Sequence, residues 1–325
     1  MITQLIKVDP TDRDYRLYTD HLFVYNGAIQ RKVGRELHKL LGGIGKGIAV
    51  ATTGSDARLE KGPSSLIEII LFKEDTKDVG QIVSKIVDYI SENSCFGLFK
   101  QDIEVKNPGE GYLSECVLYP STESQKSIYS PNRIFDARML FGSRSTFKRV
   151  KNKLAIELRG SYGASVFEKI KGRVKEHARI TKTGRQRYVG DELVHYNFDE
   201  GIAYYDPDSK LWSFKQGPLR AVQYAFVRDG IKSIRAGVDY REVLQIPQNT
   251  ISKMNYLEVH GKTGLSGQQV QGICDNYKFF LWLYHSSQRE YAVNKGRQIC
   301  FDRKEVRERC NDLASMCNLD LMKFR

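Results

Sequence analysis

The stretch that most constrains the fold is a glycine-containing corner between two short apolar runs. The first run is residues 48–51 (IAVA), and the second is residues 66–72 (LIEIILF). Gly, Pro and Ser residues bound both runs, and short apolar runs with such boundaries predict buried strands. The sequence therefore predicts a strand, a tight corner and a second strand, which is a unit of a sheet that helices cover.

The corner between these strands favours the binding of an anion. Gly54 and Ser55 open a turn, and residues 56–61 have the length of one helical turn. The first N–H groups of a helix lack partners inside it, and the helix dipole adds positive potential there. The alternative is a tight turn without a ligand, and the pattern alone does not separate the two.

Glu68 is the one charged residue in the second apolar run. A carboxylate in a buried strand is costly unless it meets a cation or a metal ion. Glu68 is therefore a candidate metal ligand. The alternatives are a position at the solvent edge of its strand and an ion pair with Arg58.

The spacing across the corner resembles the nucleotidyltransferase superfamily, which has the DNA polymerase beta type of fold. The family pattern is G-[GS]-x-x-R-x-E-x-x-P-x-S-D-[IQ]-D, and the chain aligns with it without a gap. The matching residues are Gly54, Ser55, Arg58, Glu60, Pro63, Ser65 and Ile67. The arginine and the glutamate are typical of the branch that includes the bacterial uridylyltransferase of the nitrogen-signalling protein PII and related proteins of unknown substrate.

The resemblance implies a magnesium site with one important departure. The two metal-binding aspartates of the family fall on Leu66 and Glu68, and only Glu68 can ligate a metal. On the neighbouring strand, Asp102 or Glu104 would supply the third carboxylate. The expected catalytic and metal-binding residues are therefore Glu68, Asp102 and Glu104, with Mg²⁺ and a nucleoside triphosphate as cofactors. The alternative for Asp102 and Glu104 is the polar face of an alternating strand.

Two later segments extend the resemblance in matching order. Residues 134–142 (IFDARMLFG) resemble the D-x-R-x-x-x-G segment of that branch, and residues 214–223 (FKQGPLRAVQ) resemble its K-x-G-x-x-x-L-R-[DA]-x-Q segment. The resemblance implies a nucleotide-binding set of Gly54, Ser55, Arg58, Ser65, Lys215 and Arg220. The alternatives are a surface ion pair between Arg58 and Glu60, helix capping by the two later cations, and an interdomain salt bridge at Asp136-x-Arg138, which is favoured over catalysis.

Hydrophobic periodicity predicts an α/β fold with two domains. Residues 1–125 would form a nucleotidyltransferase-like α/β domain with a mixed sheet, and residues 126–325 a mostly helical, basic domain. A polar linker is expected at residues 121–131, and a hairpin or long loop at 188–214. Helices are expected from residue 26 to the Gly42-Gly43 stop, and at 79–93, 147–158, 166–178, 219–227, 265–288 and 303–323.

The positive charge of the chain is concentrated in its middle. The net charge is +12, and residues 133–190 contain 16 Lys/Arg and 4 Asp/Glu. On the two helices expected there, cations including Lys148, Arg149, Lys151 and Lys153 would form outer faces. Such a block predicts a polyanionic partner, with nucleic acid first. The alternative is a solvated helical face that favours solubility.

The rest of the sequence narrows the function to two hypotheses. No apolar run approaches the length of a membrane span, no secretion signal is evident, and the six cysteines lack C-x-x-C spacing, so a cytoplasmic location is expected. The first hypothesis is a nucleotidyltransferase that moves a nucleoside monophosphate to a protein or nucleic-acid acceptor. The second is a catalytically inactive protein of the same fold that binds nucleic acid or another polyanion. The sequence leaves both open.

Overall fold

A computed structural model of the protein describes residues 14–41, 47–62, 67–73, 88, 103–106, 135–187 and 190–324. The chain divides into two compact units. The first, here called the corner unit, contains Leu22–Lys61 and Ser65–Val166. The second, here called the helical unit, contains Met1–His21, Gly62–Ser64 and Phe167–Arg325. The fold is mixed α/β, as predicted. The predicted domain boundary at residue 125 and the linker at 121–131 lie outside the described residues.

The corner unit is built on a four-stranded sheet. Its elements are α1 (Tyr15–Leu41, which begins in the helical unit), β1 (Ile48–Thr52), α2 (Gly54–Ala57), β2 (Ile67–Lys73), β3 (Ile103–Lys106), β4 (Arg138–Gly142) and α3 (Arg144–Arg159). The strand order is β3-β2-β1-β4. β1 is antiparallel to β2 and to β4, and β2 is parallel to β3. The sheet is therefore mixed, as the sequence predicted.

The apolar runs form strands because both faces of the sheet are covered near its centre. All five residues of β1 are buried. On one face, α1 contributes Val33, Leu37 and Leu41 to a cluster that includes Val50 and Ile69. On the other face, the ring of Phe147 in α3 lies 6.0 Å from that of Phe72 in β2. The helix predicted from residue 26 is confirmed and begins earlier, at Tyr15.

The helical unit follows. Its elements are α4 (Ser161–Thr183, which begins in the corner unit), β5 (Arg185–Arg187), β6 (Glu192–Val194), β7 (Tyr196–Asn197), β8 (Ile202–Asp206), β9 (Leu211–Trp212), an irregular turn (Lys215–Leu219), α5 (Arg220–Arg235), α6 (Tyr240–Leu244), α7 (Thr250–Val259), α8 (Gly267–Asn294), β10 (Gln298–Cys300) and α9 (Arg303–Met316). The predicted helices at 147–158, 166–178, 219–227, 265–288 and 303–323 correspond to α3, α4, α5, α8 and α9. The predicted hairpin region contains β7, β8 and β9, which pair antiparallel.

The last ninety residues, for which the sequence offered no role, complete the core of the helical unit. α8 begins with a capping box at Ser266 and buries Tyr277, Phe280 and Tyr284. The C-terminal segment is fixed by Asp229, whose fully buried carboxylate accepts the backbone N–H groups of Leu321 and Met322 at 2.7 and 3.3 Å. These residues are therefore structural parts of the unit.

The remaining expectations concern membranes and the region between β2 and β4. Among the described helices, none has both the length and the apolar character that crossing a membrane requires. Apart from residue 88, the helix expected at 79–93 lies outside the described residues, as does most of the segment from 99 to 131. The described part of that segment contains β3, which includes Glu104 of the predicted neighbouring strand.

We predict opposite effects of alanine at two glycines. Gly142 has φ of +100°, and a Cβ there would overlap the carbonyl oxygen of Ile48, so Gly142→Ala should destabilise the fold by at least about 1–2 kcal/mol. Gly172 lies inside α4, and a Cβ there would meet nothing within 4 Å. Gly172→Ala should therefore stabilise the fold by about 0.5–1 kcal/mol. Urea unfolding followed by circular dichroism checks both, and equal effects would contradict the geometry.

Candidate functional site

The predicted corner is present at the end of β1. Thr53 is extended, with φ of −134° and ψ of 175°, and Gly54 then turns the chain with φ of +61°. Few residues other than glycine adopt that angle without strain. The N–H groups of Gly54 and Ser55 have no acceptor among the described residues, and both residues are only partly buried. The corner therefore presents two backbone donors that a ligand can reach.

The helical turn of the corner differs from the prediction in position and length. It covers Gly54–Ala57 and not residues 56–61. Four residues sum to a small helix dipole, so the dipole adds little to anion binding here. Any anion at the corner would depend on the individual N–H groups of Gly54 and Ser55.

α1 holds the loop that follows the corner. Asn26 Nδ2 donates to the carbonyl oxygens of Leu59 and Lys61 at 2.9 and 3.0 Å, and Gln30 Nε2 donates to that of Asp56. Leu59 has φ of +63°, which costs free energy for a branched residue. Because three carbonyl groups of the loop are bonded to one helix, the strained conformation is held in place.

A buried ion triad ties the corner to the segment before β4. Arg58 Nε lies 2.8 Å from Glu60 Oε2, and its Nη1 lies 2.8 Å from Asp136 Oδ2. Arg58, Glu60 and Asp136 expose 8%, 2% and 9% of their surfaces. The surface ion pair considered for Arg58 and Glu60 is therefore wrong, because the pair is buried. The salt bridge favoured at Asp136-x-Arg138 is present at Asp136, which pairs with Arg58, but it is not interdomain, because both residues lie in the corner unit.

Lys151 strengthens this connection from α3. Its Nζ donates to the carbonyl oxygens of Ala137 and Phe135 at 2.9 and 3.4 Å, and the residue is buried. The sequence placed Lys151 on the outer cationic face of its helix, and that assignment is wrong. The carbonyl groups on either side of Asp136 are buried, and buried carbonyl groups require hydrogen-bond donors. Lys151 supplies these donors, which accounts for its burial.

The predicted metal-binding positions are described only in part. Ser65, Leu66 and Asp102 lie outside the described residues, as do the side chains of Glu68 and Glu104. The backbone register pairs Glu68 of β2 with Glu104 of β3. Within the described part of the chain, no group of three His, Cys, Asp or Glu residues is arranged to hold a metal ion. The catalytic assignments of Glu68, Asp102 and Glu104 stay predictions, as does the predicted contact of Arg58 with a phosphate.

The other two predicted nucleotide contacts lie in the helical unit, around one tryptophan. Lys215 Nζ lies 4.7 Å from the ring centre of Trp212, and the guanidinium carbon of Arg220 lies 5.8 Å from it. Arg220 Nη1 also donates to Gln216 Oε1 at 2.7 Å. The turn that carries Lys215 is irregular, because Gln216 and Gly217 within it have non-helical backbone angles. The structure thus brings these two cations together on an aromatic surface.

Two buried histidines, His177 and His195, lie close enough to Arg220 to be affected by its charge. His195 Nε2 donates to Gln186 Oε1 at 2.9 Å, and its Nδ1 has no partner among the described residues. Burial and the charge of Arg220 lower the pKa of His195 to about 4. Burial, followed by Arg220, Arg173 and His195, also lowers the pKa of His177. Protonation of either ring would place a second charge beside Arg220, so both rings are neutral near pH 7.

Comparison of the sequence with known protein families finds no family that matches it, and comparison with curated proteins finds no matching relative. The resemblance to nucleotidyltransferases therefore depends on the motif residues and on their order along the chain.

The sequence did not identify the residues that support the corner. Asn26, Gln30 and Lys151 are polar residues on amphipathic helices, where the usual reading is a solvated side chain. The signal that was available is that Asn26 and Gln30 are four residues apart, so they lie on one face of α1. That face is the one turned toward the corner.

We predict that the buried histidines make the protein less stable in acid. The pKa of each histidine is lower in the folded state than the ordinary 6.5, so the unfolded state binds more protons below that pH. For His195 this difference extends down to its folded-state pKa of about 4. Stability should fall as the pH drops from about 6.5 to 4, by up to about 1.4 kcal/mol per pH unit for each histidine. Urea unfolding at several pH values gives this slope.

The matched variants are His195→Gln and His260→Gln, since His260 is an exposed histidine of the same unit. The His195→Gln protein should show a smaller slope between pH 6.5 and 4, and the His260→Gln protein should keep that of the unchanged protein. Identical slopes in all three proteins would contradict the assignment.

Proposed function

We propose that the corner unit binds a nucleoside triphosphate and that the protein is a nucleotidyltransferase-like protein, which moves a nucleoside monophosphate to a protein or nucleic-acid acceptor. The observation that carries the proposal is the corner itself. Gly54 and Ser55 present two N–H donors without acceptors among the described residues, at the end of a buried strand. Phosphate oxygens are the acceptors that such donors bind well.

The arrangement of the strands also supports this proposal. β1 leads into the corner, β2 returns antiparallel to it, and β3 lies parallel to β2. This order resembles the mixed sheet expected for the superfamily. The two glutamates that the resemblance assigns to a metal are paired in the backbone register of β2 and β3. Hard oxygen ligands of this kind are the ones that Mg²⁺ prefers.

The chain's own residues would act by position and charge. Gly54 and Ser55 would hold phosphate oxygens, and the Arg58 triad would keep the corner in shape. Glu68, with Asp102 or Glu104, would hold Mg²⁺, which when bound would neutralise charge on the phosphate oxygens. Leu66 supplies no ligand. The loss of one such electrostatic contact costs about 3–4 kcal/mol in comparable sites, so we expect transfer to be slow.

A second candidate is binding of a polyanion without catalysis. α3 carries exposed cations at Arg144 and Lys148, and α4 carries them at Lys171, Lys175 and Lys182. Exposed cations along a helix suit the phosphates of a nucleic acid. This candidate uses the basic segment 133–190 and needs no nucleotide at the corner.

Calorimetry with each of the four nucleoside triphosphates, with and without Mg²⁺, tests the proposal. At least one triphosphate should bind in a Mg²⁺-dependent manner, and Glu68→Ala should weaken that binding at least tenfold, which is about 1.4 kcal/mol. Glu168→Ala, which removes an exposed glutamate of α4, is the matched control and should leave binding unchanged.

Two further results complete this test. Leu66→Asp restores the family's ligand and should raise the rate of transfer measured with a labelled triphosphate. If no triphosphate binds under any condition while RNA binds in a salt-sensitive manner, the proposal is wrong and the second candidate holds.

A further inference from the structure

Two arginines, Arg31 of α1 and Arg138 of β4, lie together at one edge of the sheet in the corner unit. Contacts along the two elements fix this placement. A Cβ on Gly34 would lie 2.9 Å from the carbonyl oxygen of Leu140, and the rings of His38 and Phe141 are 5.7 Å apart. Arg31 precedes Gly34 by about one turn, and Arg138 precedes Leu140 by two residues. The two arginines are therefore neighbours.

Neither guanidinium has an anionic partner in the described part of the chain. Both side chains are exposed, and no carboxylate among the described residues forms an ion pair with either of them. Desolvation by neighbouring protein atoms, followed by the charge of Arg31, lowers the pKa of Arg138. Within the described residues, two like charges are thus close together without a counter-charge, which is unfavourable.

The pair lies close to the corner. Arg138 is paired in register with Thr52, the last residue of β1 and two positions before Gly54. Nη1 of Arg31 would lie 3.4 Å from a Cβ on Gly27, and a methyl group of Leu59, from the corner loop, would lie 3.8 Å from the same point. β4 is one of the two edge strands in the described part of the sheet, and both arginines are exposed, so the pair is accessible from that side.

We propose that Arg31 and Arg138 form a binding site for a phosphate group. Guanidinium groups are planar forks that bind two oxygens of one oxyanion at once. A phosphate or diphosphate also carries enough negative charge to compensate both arginines, whereas a single carboxylate does not. The phosphate could belong to a free anion or to a nucleotide. The inference uses neither Gly54 nor Glu68, so it does not depend on the proposed function.

Calorimetry with inorganic pyrophosphate, at low salt and without Mg²⁺, tests this site. The unchanged protein should bind pyrophosphate, Arg31→Gln and Arg138→Gln should each weaken binding at least tenfold, and the double variant should not bind. Arg241→Gln is the matched control, because Arg241 is an exposed arginine of α6 in the helical unit and belongs to neither proposed binding surface. It should bind within twofold of the unchanged protein.

Thermal unfolding provides a second readout that does not depend on heat of binding. Pyrophosphate should raise the Tm of the unchanged protein and of Arg241→Gln, and should not raise that of the double variant. Without pyrophosphate the double variant should be folded and at least as stable as the unchanged protein, since it lacks the repulsion between the two arginines.

Calorimetry with ATP distinguishes the source of the phosphate, and adenosine, which lacks phosphate, is the control ligand. If the double variant loses ATP binding as well, the site takes the phosphates of a nucleotide; if it keeps ATP binding, the site takes a free anion. Pyrophosphate binding that is absent from the unchanged protein, or unchanged in the double variant, would overturn the proposal. The nucleotide proposal fails by a different result: no triphosphate binding is found that requires Mg²⁺ and is weakened by Glu68→Ala.

Discussion

The corner unit depends on a single guanidinium that is enclosed by two carboxylates. Arg58 lies in the loop after the corner, Glu60 lies two residues later, and Asp136 is separated from Arg58 by 78 positions in the sequence. Removing one member of a buried ion group leaves a charge without compensation, which typically costs about 3–5 kcal/mol. This interaction joins the loop after β1 to the segment before β4, so one residue, Arg58, holds both segments of the corner unit together.

The functional elements of the corner unit are arranged around this connection. α1 bonds the carbonyl groups of the corner loop through Asn26 and Gln30, and Lys151 bonds the backbone on either side of Asp136. Hydrogen bonds in a low dielectric are strong and hold the backbone that they contact, and here they do so although Gln30 Oε1 has no partner among the described residues. The N–H groups of Gly54 and Ser55 can then be presented in a fixed orientation, because the loop that carries them is held from two directions.

The sequence predicted the coarse fold and the corner, because both produce local patterns. Burial explains the apolar runs of β1 and β2 and the spacing of the leucines in α1. The positive φ at position 54 explains why a glycine stands there. Partners distant in sequence leave no such pattern. The pair of Arg58 with Glu60 was expected at the surface and Lys151 on a solvated face, because the burial of a polar group is decided by what packs over it. The neighbourhood of Arg31 and Arg138 likewise exists only through the packing of α1 on β4.

The most direct test of this account is a double-mutant cycle on the pair that crosses the corner unit. Urea unfolding of the unchanged protein, Arg58→Met, Asp136→Asn and the double variant gives the coupling energy between the two side chains. If the buried pair organises the corner, the coupling should be at least about 1 kcal/mol, within the range seen for residues in one ion network. Effects that add to within about 0.3–0.5 kcal/mol, as for independent sites, would contradict it.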